Sequence, residues 1–231
     1  MLSSKGAKLI FSQADAIITD SHFVYAKKPD GWYHGYEYVN KDAIYLYPWL
    51  VARLCREIAR RFVNLGPSVV VGPTVGGVIL AQWTAIELRY LLSHDVFAVC
   101  ADEEDIFVDS KKIGTKRVIK RGYDKVVKGK RCLIVEDIEN SGATVAKTRD
   151  AILEAGGEVI GVGCLCNRSG GKVTNQRLCV PELFSLLELD MQMFKEEDFP
   201  ICKKLGRGSV RTDLGKGKEF LQRIGIQPGE K

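Results

Sequence analysis

The chain has 231 residues, 45% apolar and 27% charged, enough for one soluble domain with a sizeable core. A net charge of +5 and a pI of about 8.8 are too mild to argue for nucleic acid and suit an anionic small substrate. The seven cysteines are odd in number and scattered, mostly within apolar runs, which favours reduced thiols over a disulfide framework. Residues 1–17 show no long apolar region and no small-residue cleavage site, and no apolar stretch reaches the length of a membrane span. The expectation is a cytoplasmic protein.

Leu2 to Ile18 reads as a helix, since Leu9, Ile10, Ala14, Ile17 and Ile18 recur on one face. Residues 20–41 are aromatic and basic and are broken by Pro29-Asp30-Gly31. They read as a hairpin or loop pair able to cover a flat ligand. Pro48 to Val63 is an amphipathic helix, with Leu50, Leu54, Ile58 and Phe62 on one stripe and Arg53, Arg56, Arg60 and Arg61 facing away. Ser68 to Gly72, SVVVG, is too short and too β-branched for a helix and is predicted as a strand. A helix over Gly76–Leu92 and a strand over Asp95–Ala101 follow, then a polar, basic stretch over 102–130. A strand over Arg131–Glu136, a helix over Gly142–Ala155 closed by Gly156-Gly157, and a strand over Glu158–Cys166 come next, with a last apolar run at Leu183–Leu189. This alternation predicts an α/β fold, a Rossmann-like parallel sheet with helices on both faces. Ligands of such sheets sit beyond the C-terminal strand ends, where loops 72–77 and 136–144 lie.

Two phosphate motifs fail on inspection. Gly72-Pro-Thr-Val-Gly76-Gly77 continues with Val78-Ile79 where a Walker A loop requires Lys and Ser/Thr. Gly161-Val-Gly163-Cys-Leu-Cys166 lacks a third glycine and follows no strand-to-helix turn, so it reads as a Gly-aided turn rather than a dinucleotide fingerprint. The stretch CLIVEDIENSGATV, 132–145, is more informative. Buried carboxylates are costly unless they bind something. A bare loop entering a helix offers main-chain N–H groups as an anion site, to which Ser141 and Thr144 add hydroxyls. A sugar phosphate satisfies both halves, with vicinal hydroxyls donating to Glu136 and Asp137 and the phosphate in the loop. The plain alternative is an acidic N-terminal region of a helix.

Val135-Glu136-Asp137 with Ser141-Gly142-Ala143-Thr144 resembles the phosphoribosyl-diphosphate loop of type I phosphoribosyltransferases. Val71-Gly72-Pro73-Thr74-Val75-Gly76-Gly77 resembles that family's pyrophosphate loop, and Lys116 to Tyr123, KRVIKRGY, the mobile basic loop of its orotate branch. Tyr36 to Lys41 resembles the base-covering N-terminal segment, and Cys166-Asn167-Arg168 the strand end that reaches the base. The match runs in order over residues 20–170.

The resemblance implies one phosphoribosyltransferase domain over 1–231, with 1–45 a hood over the base and 203–231 a basic tail. It implies transfer of a phosphoribosyl group from phosphoribosyl diphosphate to orotate, giving orotidine 5'-monophosphate and pyrophosphate. The implied cofactor is Mg²⁺, held mainly by the substrate and by no side chain directly. The implied assembly is a homodimer, with neither nucleic acid nor membrane as partner. Glu136 and Asp137 would take the ribose hydroxyls, Asn140, Ser141, Gly142, Ala143 and Thr144 the 5-phosphate, and Thr74, Val75, Gly76 and Gly77 the diphosphate. The nine Lys or Arg of residues 110–130 form either a solvated basic loop or a lid closing over the diphosphate. By family position Lys120 leads, with Arg117, Lys116 and Arg121 beside it and Asp137 as the fifth catalytic candidate. Arg168 would pair with a planar acidic base, or is an ordinary surface arginine. Tyr38 could stack on the base, and Lys27 or Lys28 add charge.

Asn140 stands where the family usually has Thr, Lys27-Lys28 where it has Ser-Gly, and Gly76 where some members carry Lys. These departures bear on the base rather than on the sugar site. A purine phosphoribosyltransferase is therefore an alternative, as is a non-catalytic regulator sensing phosphoribosyl diphosphate, although residues 1–40 leave little room for a helix-turn-helix. His22, His34 and His94 lack metal spacing and read as structural or surface residues, and Cys164, Cys166 and Cys202 do not suggest zinc.

Overall fold

The computed structural model describes residues 4–25, 27, 30–198 and 209–226. Lys28, Cys202 and residues 203–208 and 227–231 of the basic tail lie outside them. The chain divides into two compact units, Met1–Leu9 with Tyr47–Asp190, and Ile10–Leu46 with Met191–Lys231.

In chain order the elements are α1 (Ser4–Gln13), β1 (Ile17–Ile18), β2 (Phe23–Val24), β3 (Tyr33–Gly35), β4 (Tyr38–Val39), α2 (Lys41–Tyr45), α3 (Pro48–Phe62), β5 (Val69–Pro73) and α4 (Gly76–Leu92). Then come β6 (Phe97–Val108), β7 (Lys111–Val118), α5 (Tyr123–Val127), β8 (Arg131–Glu139), α6 (Ala143–Glu154), β9 (Glu158–Asn167), α7 (Asn175–Leu178), β10 (Leu183–Glu188), β11 (Phe194–Lys195) and α8 (Gly217–Arg223).

The larger unit is built on a six-stranded sheet of order β10-β9-β8-β5-β6-β7. It is parallel from β10 to β6, and β7 runs antiparallel to β6. The predicted parallel α/β sheet is thus present. After β5 the chain builds outward through β6 and β7, then returns to place β8 on the other side of β5. The order reverses between β5 and β8, the place where open α/β sheets leave a crevice at their C-terminal ends.

Strand alternation puts Val69, Val71, Ile134 and Val162 in one core cluster with Val145 and Ile152 of α6. The opposite face receives α3, and here the GVG motif finds its explanation. A Cβ on Gly161 would lie 2.5 Å from the Phe62 ring, and one on Gly163 2.4 Å from Ile58. The glycines let the apolar stripe of α3 press against β9. In that stripe Leu54, Ile58 and Phe62 are buried, whereas Leu50 is only partly so and Val51 takes its place. Arg56 forks onto Glu87 of α4 at 2.9 and 3.1 Å, joining the two helices.

Three predicted elements differ. The first helix ends at Gln13, because Asp15 adopts a left-handed φ of 50°, and Ile17-Ile18 pair with β4 as a strand. Local helical periodicity was satisfied there by a half-buried two-strand ribbon instead. The basic stretch is not a loop: β6 runs on to Val108 and turns at Asp109-Ser110 into β7, an antiparallel arm closed by cross-strand charge pairs. The acidic strand does not stop at Glu136 but continues through Glu139.

The smaller unit holds a three-stranded antiparallel sheet, β11-β3-β2, and the β1–β4 ribbon. Val24, Val210, Phe220 and Leu221 form its core. His22 and His34 are buried, with His22 Nε2 and His34 Nδ1 2.8 Å apart, and His22 Nδ1 3.0 Å from Ser209 Oγ. Burial, then the neighbouring His34, pushes the His22 pKa down to about 4.

Candidate active site

β5 and β8 are parallel neighbours, so the loops leaving their C-terminal ends lie side by side. On the β5 side, residues 74–77 turn sharply into α4, and the Thr74–Val75 peptide is cis. Gly72 and Gly77 permit this turn. A Cβ on Gly72 would sit 1.9 Å from the Gly77 carbonyl oxygen, and one on Gly77 2.5 Å from Pro73 Cδ. The small residues are needed for the loop to pack on its own strand, and Val75 is left 80% exposed at the tip.

On the β8 side, Glu136 and Asp137 lie inside the last turn of a strand whose preceding residues are fully buried, and are themselves only 6% and 5% exposed. Asp137 N–H donates to Glu136 Oε1 at 3.0 Å, and Ile138 N–H to Asp137 Oδ1 at 2.6 Å. Burial first, and the adjacent Asp137 second, push the Glu136 carboxyl well above the usual carboxylate range. Two acids crowded in this way favour an incoming group that donates hydrogen bonds. Asn140, Ser141 and Gly142 then lead into α6, with Gly142 at φ 85°, Ala143 and Ser141 exposed, and Thr144 partly exposed.

Sequence reasoning passed over Glu139, the residue beneath this loop. It is 3% exposed, and its Oε1 accepts from Gly142 N–H at 2.7 Å and Asn140 N–H at 3.0 Å. Burial, and less strongly Asp137, raise its pKa. The available signal was a third acid, two residues beyond Asp137, in an otherwise apolar strand.

The arm distributes its cations unevenly. Arg117 is buried, and its Nη1 donates to Thr74 Oγ1 at 2.8 Å and to the Ala101 carbonyl at 3.3 Å. It links β7 to the 74–77 loop. Lys120 is ion-paired with Glu104, Lys116 lies 3.9 Å from the same carboxylate, and Arg121 donates to Asp102 at 3.0 Å. Lys147 of α6 donates to Thr115 Oγ1 at 2.6 Å, tying the arm to the helix that follows the 140–142 loop. The residue favoured from sequence, Lys120, is therefore held by Glu104 of β6, while Arg117 meets the 74–77 loop.

Arg168 follows β9 directly, and its N–H donates to the Glu139 carbonyl at 2.9 Å. Asn167 shapes the turn below it, donating to the Val173 carbonyl and accepting from Ser169 N–H. In the smaller unit, Tyr38 stacks on Phe23 at 5.2 Å and Lys27 is exposed. Among the described residues there is no cluster of three or more His, Cys, Asp or Glu able to hold a metal ion, and no helix is long and apolar enough to cross a membrane.

The family described as Phosphoribosyl transferase domain matches residues 45–192. The chain is 31% identical over 188 residues to an orotate phosphoribosyltransferase of Caldanaerobacter subterraneus subsp. tengcongensis, covering 81% of this chain and 86% of that protein. Its fold is similar to that of the orotate phosphoribosyltransferase of Aeropyrum pernix, with a TM-score of 0.55, 20% identity, and 87% and 97% of the two chains covered. It is also similar to that of the adenine phosphoribosyltransferase of Thermoanaerobacter pseudethanolicus, with a TM-score of 0.56, 14% identity, and 81% and 100% covered. With a family match across the whole larger sheet, the chain belongs to the phosphoribosyltransferase family.

Proposed function

We propose that this chain is an orotate phosphoribosyltransferase, joining orotate to C1 of phosphoribosyl diphosphate and releasing pyrophosphate. The observation that carries the reading is the pairing of a buried two-acid strand end with a glycine-shaped loop one strand away. The likeness to relatives named for orotate favours that base over a purine.

The residues divide the work by charge. Glu136 and Asp137 receive the ribose hydroxyls, and a hydrogen-bonded hydroxyl relieves the repulsion that burial has built between them. The 140–144 loop, at the N-terminus of α6, takes the 5-phosphate. Residues 74–77 take the diphosphate, with Thr74 held by Arg117. As the C1 bond breaks, positive charge grows on the ring and negative charge on the leaving diphosphate, so catalysis consists of placement and charge neutralisation. Arg117 is positioned for the second task, and Lys116, Lys120 and Arg121 join it when they leave Glu104 and Asp102. Mg²⁺ brought in with the substrate would supply further neutralisation of the leaving diphosphate. Arg168 pairs with the orotate carboxylate. The enzyme acts as a homodimer in the cytoplasm.

The test is to mix the protein with phosphoribosyl diphosphate, Mg²⁺ and a panel of bases, and record pyrophosphate release. Release with orotate alone supports the reading. Release with adenine or guanine moves the assignment to a purine, and binding of the donor without turnover of any base moves it to a sensor.

A further inference from the structure

The 140–144 loop already holds a carboxyl group of its own. Glu139 Oε1 takes the N–H groups of Gly142 and Asn140, two of the donors that a phosphate in this loop would use. Its other oxygen, Oε2, is buried and has no hydrogen-bond partner among the described residues. A carboxylate in this setting is half satisfied, and a buried unsatisfied polar atom persists at a cost. The titratable groups acting on it are Asp137 and Glu136 on its own strand and the Cys164 thiol of β9, neutral or negative. Cationic side chains on the flanking elements include Lys147, which donates to Thr115 Oγ1, and Arg168, whose main-chain N–H meets the Glu139 carbonyl.

We infer that Glu139 shares the loop amides with the 5-phosphate of the sugar donor, and that seating the phosphate drives a proton from solvent onto the Glu139 carboxyl. This rests on the proposed function and adds to it a proton-coupled determinant of donor affinity. An ionised Glu139 sets a like charge directly beneath the phosphate. A protonated Glu139 still offers its carbonyl oxygen to Gly142 and Asn140 and has a hydroxyl for the atom now without a partner. Glu139 is a positioning residue, since it acts on the donor through the loop.

The experiment is calorimetric titration of the full chain with phosphoribosyl diphosphate and Mg²⁺ at pH 8, in buffers of different ionisation enthalpy. At that pH the donor phosphate, with its second pKa of about 6, is fully ionised and contributes no uptake of its own. The wild type is expected to take up as much as about one proton per donor bound. Glu139→Gln keeps the shape and the acceptor, and is expected to abolish the uptake and bind the donor about tenfold tighter, given like charges a few ångströms apart at a partly buried site. Glu139→Asp, which retains a titrating carboxyl, should restore uptake. Donor binding with no proton taken up by the wild type, or with equal uptake in the Gln variant, overturns the inference and leaves the proposed function standing. Absence of donor binding in both proteins overturns the two together.

Discussion

Gly72→Ala puts the loop architecture to a direct test. The added Cβ would lie 1.9 Å from the Gly77 carbonyl oxygen, 2.2 Å from its carbon and 2.8 Å from Val78 N, all main-chain atoms. Restoring an ordinary contact of 3.4 Å requires Gly77 to retreat by about 1.5 Å. Gly77 is the second residue of α4, and its own Cβ position faces Pro73 and the Val135 carbonyl, so the helix start and the 74–77 loop must move together. Overpacking of this kind typically costs about 1–3 kcal/mol. A misplacement of about 1 Å at a substrate-positioning loop costs roughly a hundredfold in rate. Urea unfolding should therefore show a loss of about 3 kcal/mol, and the pyrophosphate-release assay a kcat/KM for phosphoribosyl diphosphate lowered by roughly two orders of magnitude. Gly114→Ala, whose Cβ would meet nothing within 4 Å, is the control and should leave both unchanged. If Gly72→Ala has wild-type stability and kcat/KM, the close-approach reasoning fails.

Arg117→Lys should lower kcat/KM for phosphoribosyl diphosphate by about tenfold or more, since an ammonium cannot span Thr74 Oγ1 and the Ala101 carbonyl as the guanidinium does; steady-state kinetics decides it. Glu136→Gln should raise unfolding free energy at pH 7.5 by about 0.5–2 kcal/mol while weakening donor binding, because it removes a charge disfavoured by burial and by Asp137. The sign follows from linkage: a carboxyl with a raised folded pKa makes stability fall as pH rises above its unfolded value, and the variant should lack that slope in pH-dependent unfolding. His22 behaves in the reverse sense on the acid side. Its folded pKa of about 4 lies below the ordinary 6.5, so its contribution is complete above 6.5 and is lost as pH falls toward 4, by up to about 3 kcal/mol. Acid unfolding followed by Trp32 fluorescence in the smaller unit should show this loss, and His22→Gln should remove it.

Much of the sheet was legible because its strands are buried on both faces and therefore spell continuous apolar runs, as SVVVG and RCLIVEDIE do. The acids Glu136 and Asp137 stood out against such a run, and the Gly-rich turns at 72–77 and 142 carry a local signature that needs no long-range information. The arm was hidden because its strands are exposed and charged. Their pairing depends on Asp102, Glu103, Glu104 and Asp105 meeting cations across a hairpin, a relation that periodicity does not report. Sequence alone thus determined which residues carry charge and which segments must be buried. Tertiary structure alone decided that Arg117 rather than Lys120 meets Thr74 and that the two histidines share a core. Each of those outcomes depends on atoms distant in the chain being brought within hydrogen-bonding range, a distance that no local pattern of residues encodes.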